Sequence, residues 1–165
     1  MRDVMSERTL CFPVRGNPPS EVLLGLKKAG FGVGKFAGFG GGVETGETIR
    51  AAAARELDEE AGLKVQEQDI EFMGLVDFVF PARPSWSQTV YIFLAKTWQG
   101  TPIESDEMRP AWFAVSQLPL EQMWQDAAHW LPQVLGGQRL SKRFVFAPDN
   151  ETVEAVSDVE MTLDF

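Results

Sequence analysis

The stretch "GGGVETGETIRAAAARELDEEAGL", Gly40 to Leu63, places glycines directly before a helix that crowds Glu56, Glu59 and Glu60 together. Thr48 to Ala61 is helical in pattern, and Gly62 is a natural stop just past its end. At about 100° per residue, with Ile49 at about 0°, Ala53 falls at about 40° and Leu57 at about 80°. Glu56 falls at about 340°, Glu60 at about 20° and Glu59 at about 280°. Asp58 points the opposite way, toward solvent. A run of charge usually forms a solvated face. Here the glutamates follow the apolar side of their own helix. Glu56 and Glu60 are a like-charge pair four residues apart, destabilising by about a few tenths of a kcal/mol on an exposed helix. Burial raises that cost unless a multivalent cation is bound, so the pattern points to a cation site.

The chain of 165 residues has a formal net charge of −9, with 44% hydrophobic and 24% charged residues. Such a balance describes a globular domain with a sizeable core, expected as one domain over residues 1–165. Its core spans about 8–147, and an acidic C-terminal segment covers 148–165. The acidic balance disfavours binding to a nucleic-acid polymer, which needs Lys and Arg against phosphates. A small anionic substrate stays open if metal ions supply positive charge. The longest apolar run, about six residues from Val90 to Ala95, is far short of the ~20 needed to span a bilayer. The N-terminal "MRDVMSERTL" has no apolar signal core, and Cys11 is the one cysteine, so a cytoplasmic location is expected. With His129 the only histidine, a metal site would use oxygen ligands, which suits Mg²⁺ or Mn²⁺.

"RTLCFPV" and "EVLLGLKK" read as strands, followed by the Gly- and Phe-rich "AGFGVGKFAGFGGGVETGE". "IEFMGLVDFVF" and "TVYIFLAKTW" read as a strand pair joined by "PARPSWSQ". "AWFAV", "KRFVF" and "TVEAV" read as further strands, and "LPLEQMWQDAAHWLPQVLGG" as helix in two pieces. An α/β or α+β sandwich follows. The common phosphate loops are absent. Gly34-Lys35 has Ala29 where a P-loop needs glycine and Phe36 where it needs Ser or Thr, and Gly32-Val33-Gly34 meets Ala37 where a dinucleotide fingerprint needs glycine.

Gly41, Glu47, Arg55, Glu56, Leu57, Glu59, Glu60, Gly62 and Leu63 fill every specified position of the Nudix box, G-x5-E-x7-R-E-U-x-E-E-x-G-U with U aliphatic. Chance gives such a match about 10⁻⁹ per starting position at average residue usage. The chain therefore resembles the Nudix hydrolases. That resemblance implies an α/β/α sandwich with a mixed sheet, and divalent-metal hydrolysis of a nucleoside diphosphate linked to another moiety. It implies metal ligands at Glu56, Glu59 and Glu60 with the Gly40 carbonyl available, and Arg55 orienting the site by pairing with Glu47. Glu107, in "ESDEMRP", is the candidate carboxylate from outside the box, as general base or as a further ligand; the other reading is a plain loop acid.

"VLLGLKKAGFGVGKFAGFGG", "GTPIESDEMRPAWF" and "MWQDAAHWLP" are similar to the MutT-type branch that removes oxidised purine nucleoside triphosphates such as 8-oxo-dGTP. The similarity runs from about Thr9 to Phe146. It implies that Trp124 stacks on the purine, that Asp126 bonds the base edge, that Thr9 and Phe31 line the pocket, and that Lys27 lies near substrate. Two residues depart from the pattern: Ala37 stands where the branch has asparagine, and Ala127 where it has a second aspartate. Losing those polar contacts relaxes discrimination among bases. Trp86, Trp98, Trp112 and Trp130 are left as core residues.

The expected activity is release of a monophosphate and pyrophosphate from a small nucleotide, by a monomer or homodimer. The alternatives are hydrolysis of another nucleoside diphosphate derivative, such as ADP-ribose or a dinucleoside polyphosphate, and a nucleotide-sensing module without turnover. The spacing markers of the first two are missing, since Phe78 stands where ADP-ribose hydrolases carry proline, and Phe78, Val79 and Phe80 offer no tyrosine. A Nudix-type isomerase would need a catalytic cysteine, and Cys11 reads as a packing residue.

Overall fold

A computed structural model describes residues 5–160. The final residues of the acidic C-terminal segment, 161–165, lie outside the described residues. In chain order the elements are β1 (Ser6–Arg15), β2 (Glu21–Lys27), β3 (Phe36–Ala37), α1 (Ile49–Ala61), β4 (Ile70–Val79), β5 (Gln88–Ala95), β6 (Met108–Ala114), α2 (Ala127–Leu135), β7 (Leu140–Phe146) and β8 (Val153–Asp158).

The strands form one mixed sheet in the order β3-β2-β1-β5-β4-β7-β8, with β6 also pairing β2. β1 runs parallel to β5 along most of its length, and β4 runs parallel to β7. β1 and β2 pair only at Val14–Val22 and Arg15–Glu21, so the two splay apart below that corner. Alternation assigns the faces. Cys11, Leu23 and Phe93 pack with Ile49, Ala53 and Leu57 of α1. Phe12, Leu24 and Ile92 pack with Trp130, Leu131 and Val134 of α2. Helices on both faces of a mixed sheet make the expected α/β/α sandwich. In β4 the register shifts between Phe72 and Gly74, so Met73 and Val76 face the same core although three residues apart.

α1 begins where Thr48 Oγ1 accepts the Ala51 N–H at 3.1 Å. It stops at Gly62, which takes the left-handed conformation (φ 71°) and donates its N–H to Asp58. The expected two-piece helix near the C-terminus is present. Its first piece is a single 3₁₀ turn at Leu120–Gln122, because Met123 is extended (φ −121°, ψ 167°) and breaks the run before α2. Among the described residues no helix is long and apolar enough to cross a membrane.

Candidate active site

The Gly-rich segment lies along β1 as an antiparallel neighbour, with Cys11 N–H donating to Phe39 O at 2.7 Å and Thr9 N–H to Gly41 O at 3.0 Å. Close approach explains the glycines. A Cβ on Gly40 would stand 1.7 Å from the Thr9 carbonyl oxygen, and one on Gly41 would stand 2.4 Å from Glu56 Oε1. That contact lets the Gly40 N–H reach Glu60 Oε1 at 2.8 Å, tying the strand-side loop to the last turns of α1.

Around this junction the charges form a network. Arg55 grips Glu47 with two hydrogen bonds, Nε to Oε2 at 2.7 Å and Nη2 to Oε1 at 3.0 Å. Its Nη1 donates to Glu56 Oε1 at 3.0 Å and to Glu59 Oε2 at 3.3 Å, and its Nη2 also reaches the Gly42 carbonyl. The hydrogen bond from Arg55 holds the Glu47 carboxyl below its ordinary range. Glu60 is 2% exposed, and its Oε2 is buried without a hydrogen-bond partner. Burial pushes the Glu60 carboxyl up to about 8, and the Glu107 and Glu56 carboxylates act in the same direction against the Gly40 N–H and the Lys27 charge. Burial also raises Glu56, with Glu59 and Glu107 adding to it and Arg55 opposing.

Glu59 departs from its expected sector. Its side chain is 59% exposed, as its place at the margin of the apolar stripe permits. Among the described residues no three acidic side chains are gathered tightly enough to hold an ion between them. The donor set nevertheless fits a hard cation. It consists of carboxylate oxygens, one of them buried and orphaned, whose shared negative charge is only partly met by Arg55 and Lys27.

Beside this cluster opens a cleft. Thr9, Lys27, Phe31, Ala37, Gly40, Trp124 and Asp126, drawn from β1, β2, the Gly-rich segment and the start of α2, all line it. One end carries Lys27, Gly40 and Met108, the neighbour of Glu107. The other end is aromatic. Phe31 stacks on Trp124 (centroids 5.1 Å, 18°) and meets Trp86 edge-on at 4.8 Å, while Phe80 stacks on Phe146 at 4.4 Å. Asp126 is 3% exposed and its Oδ2 accepts the Trp130 indole N–H at 2.7 Å. Burial pushes its carboxyl up to about 6, against that hydrogen bond. Thr9 Oγ1 is buried with no partner.

Of the tryptophans expected in the core, Trp130 is fully buried. Trp86 instead stands half-buried in the aromatic cluster by the cleft, and Trp98 and Trp112 pair with each other at 5.9 Å, with Arg15 over Trp112. Sequence reasoning does not single out Arg8 and Gln88, which line the cleft. Gln88 carries a signal: it shares one face of β5 with Val90, Ile92 and Leu94, and a polar residue on such a face is out of place.

Residues 8–134 match the family model described as the NUDIX domain. The chain is 46% identical over 136 residues to the oxidized purine nucleoside triphosphate hydrolase of Danio rerio, covering 82% of this chain and 85% of that protein. It is 43% identical over 139 residues to the Mus musculus protein of the same name, covering 84% and 86%. Among solved structures, the MutT protein of Bacillus halodurans superposes with a TM-score of 0.76 at 24% identity, over 93% of this chain and 97% of that one, a likeness of fold. A complete box on a helix tied through Glu60 to Gly40 at the cleft, a sandwich of this topology and these matches have one reading: the chain belongs to the Nudix family.

Proposed function

We propose that this Nudix hydrolase converts oxidised purine nucleoside triphosphates, 8-oxo-dGTP among them, to the monophosphate and pyrophosphate with Mg²⁺, clearing damaged nucleotides from the cytoplasmic pool. The observation that carries the reading is one cleft with an aromatic, Asp126-bearing end and a second end reaching Gly40, whose N–H bonds the buried Glu60. Two relatives named for this activity, at 46% and 43% identity, support it. We read residues 1–165 as one Nudix domain acting on a small nucleotide, as a monomer or homodimer.

Nudix hydrolases generally use a divalent metal. Glu56, Glu59, Glu60 and Glu107 with the Gly40 carbonyl would hold it here, and Mg²⁺ suits such an all-oxygen set better than softer ions. When bound, the ion offsets charge on the diphosphate oxygens and lowers the pKa of a water. The chain's own residues supply position. Arg55 fixes Glu47 and Glu56 and keeps charge balanced on the solvent side of α1. The Gly40 N–H orients Glu60. Lys27 brings a positive charge to the phosphate-bearing end, and Glu107 stands as the acceptor for a proton from attacking water. Trp124 offers a stacking face worth about 1–3 kcal/mol per base, and Asp126 Oδ1 a hydrogen-bond position. Ala37 and Ala127 give the base methyl groups where the branch has polar ones, so fewer contacts set the choice of purine.

The test is to incubate the protein with 8-oxo-dGTP and Mg²⁺ and separate products by ion exchange. Monophosphate with pyrophosphate, abolished by EDTA and restored by Mg²⁺, is expected. Release of inorganic phosphate, or faster turnover of ADP-ribose, would overturn the reading.

A further inference from the structure

Gln88 opens β5 and is 9% exposed, on the cleft side of the sheet. Its backbone pairs with Phe78, and its Nε2 donates to the Trp86 carbonyl at 3.3 Å. Trp86 meets both Phe31 and Phe80 edge-on, and Phe31 stacks on Trp124. These contacts put the carboxamide at the aromatic end of the cleft, away from the carboxylates gathered at Gly40.

That end is poor in polar groups. Phe78, Phe80, Val90, Met123 and Phe146 are apolar, and Ala37 and Ala127 end in methyl groups. Asp126 already gives one oxygen to Trp130. A base buried there with its edge unpaired would be rejected, because each unmet polar group keeps its desolvation cost. Among the described residues Gln88 is the one side chain in the cleft that carries both a donor and an acceptor in a planar amide. Its hydrogen bond to Trp86 uses one N–H and holds the plane, leaving the second N–H and the oxygen.

Oxidation of a purine at C8 changes one edge of the ring. N7 turns from an acceptor into an N–H donor, and C8 gains a carbonyl acceptor. An amide presents the complementary pair, C=O to N7–H and N–H to O8. An unoxidised purine sets the acceptor N7 against the amide oxygen. We propose that Gln88 is a specificity-determining residue whose carboxamide reads the N7–H/O8 edge of an 8-oxopurine, supplying the discrimination that Ala37 and Ala127 cannot. This rests on the function proposed above.

The test compares wild type with Gln88→Met, which keeps length and removes the amide, and with Gln88→Glu, which keeps an acceptor and loses the donor. kcat/KM is measured for 8-oxo-dGTP, 8-oxo-dATP, 2-hydroxy-dATP and dGTP, and Kd for 8-oxo-dGMP and dGMP by tryptophan quenching. Gln88→Met is expected to lose about tenfold or more on both 8-oxo substrates through KM, with 2-hydroxy-dATP and dGTP within about twofold. Gln88→Glu falls between. An equal loss on all four substrates marks a structural role and overturns the inference, as does an unchanged preference. Should Gln88→Met fail to fold, Gln88→Glu decides alone, since an unchanged 8-oxo preference in it refutes the donor to O8. If wild type neither turns over nor binds any 8-oxopurine nucleotide, the proposed function itself fails, whereas selectivity in wild type that survives in both variants removes only Gln88.

Discussion

Behind the Gly40 end of the cleft, Glu56, Glu59 and Glu60 hang from a single helix and are tied by charged hydrogen bonds to Arg55 and Gly40. At the other, Phe31, Trp86, Trp124 and Phe146 come from four separate segments and hold one another through ring contacts of 4.8 to 6.1 Å. The first end has little freedom, because a side chain at Gly40 or Gly41 would collide with Thr9 or Glu56 and a buried carboxylate cannot move without its partner. The second tolerates exchange, since aromatic and aliphatic surfaces pack in more than one way. Charge handling is thus fixed in the backbone, while base preference is left to side chains. Both departures from the branch pattern, Ala37 and Ala127, fall at cleft positions outside the box.

The largest effect that would sharpen this contrast is at Glu60. Glu60→Gln is expected to lower kcat for 8-oxo-dGTP by on the order of 10³-fold. The metal-free variant should melt higher than wild type at neutral pH, because folding then forces a proton onto the buried Glu60 carboxyl whereas the amide is already neutral. Steady-state kinetics with calorimetric melting in EDTA checks both signs; a lower Tm would break the account of Glu60 as a group waiting for a cation. Next comes Trp124→Ala, expected to lower kcat/KM by about 10–100-fold, mainly through KM, from lost stacking. An equal fall in kcat would place Trp124 at the reacting end.

A smaller effect belongs to pH. Asp126 has a folded-state pKa of about 6, above its ordinary 3.8, so the folded protein binds the proton more tightly than the unfolded chain. Its contribution to stability is present below 3.8 and is lost as pH rises through about 6. Asp126→Asn should therefore gain on wild type between pH 4 and 7, by on the order of 2–3 kcal/mol at neutral pH, as read by urea unfolding. Equal pH profiles for the two proteins would contradict the buried charge. The smallest expected effect is Trp98→Phe, in the pair with Trp112 on the α1 side of the sheet, which should leave kcat/KM within about twofold.

The two ends also differ in how they can be read from sequence. The box is local: Gly41 to Leu63 lie within one loop and one helix, so spacing alone places Glu56 and Glu60 on the buried side, and the limits of α1 follow from Thr48 and Gly62. Glu59 shows the margin of that method, because a wheel gives direction but not how far a neighbour covers the stripe. The aromatic end is assembled by pairing distant strands. Gln88 reaches the cleft only because β5 lies between β1 and β4, and no neighbour in sequence says so. Trp86 reads as core for the same reason; its loop folds back on Phe31, far earlier in the chain. The Pro-led segment before Trp124 does not continue as a helix, since one extended residue, Met123, is enough to end it.

The separation of the two ends is tested most directly by titrating 8-oxo-dGMP into the Glu60→Gln protein by calorimetry, beside its turnover of 8-oxo-dGTP. Kd within about threefold of wild type with turnover lost is the predicted result. Binding that disappears together with turnover would contradict it, and would mean that the carboxylate end holds the base pocket together instead of acting beside it.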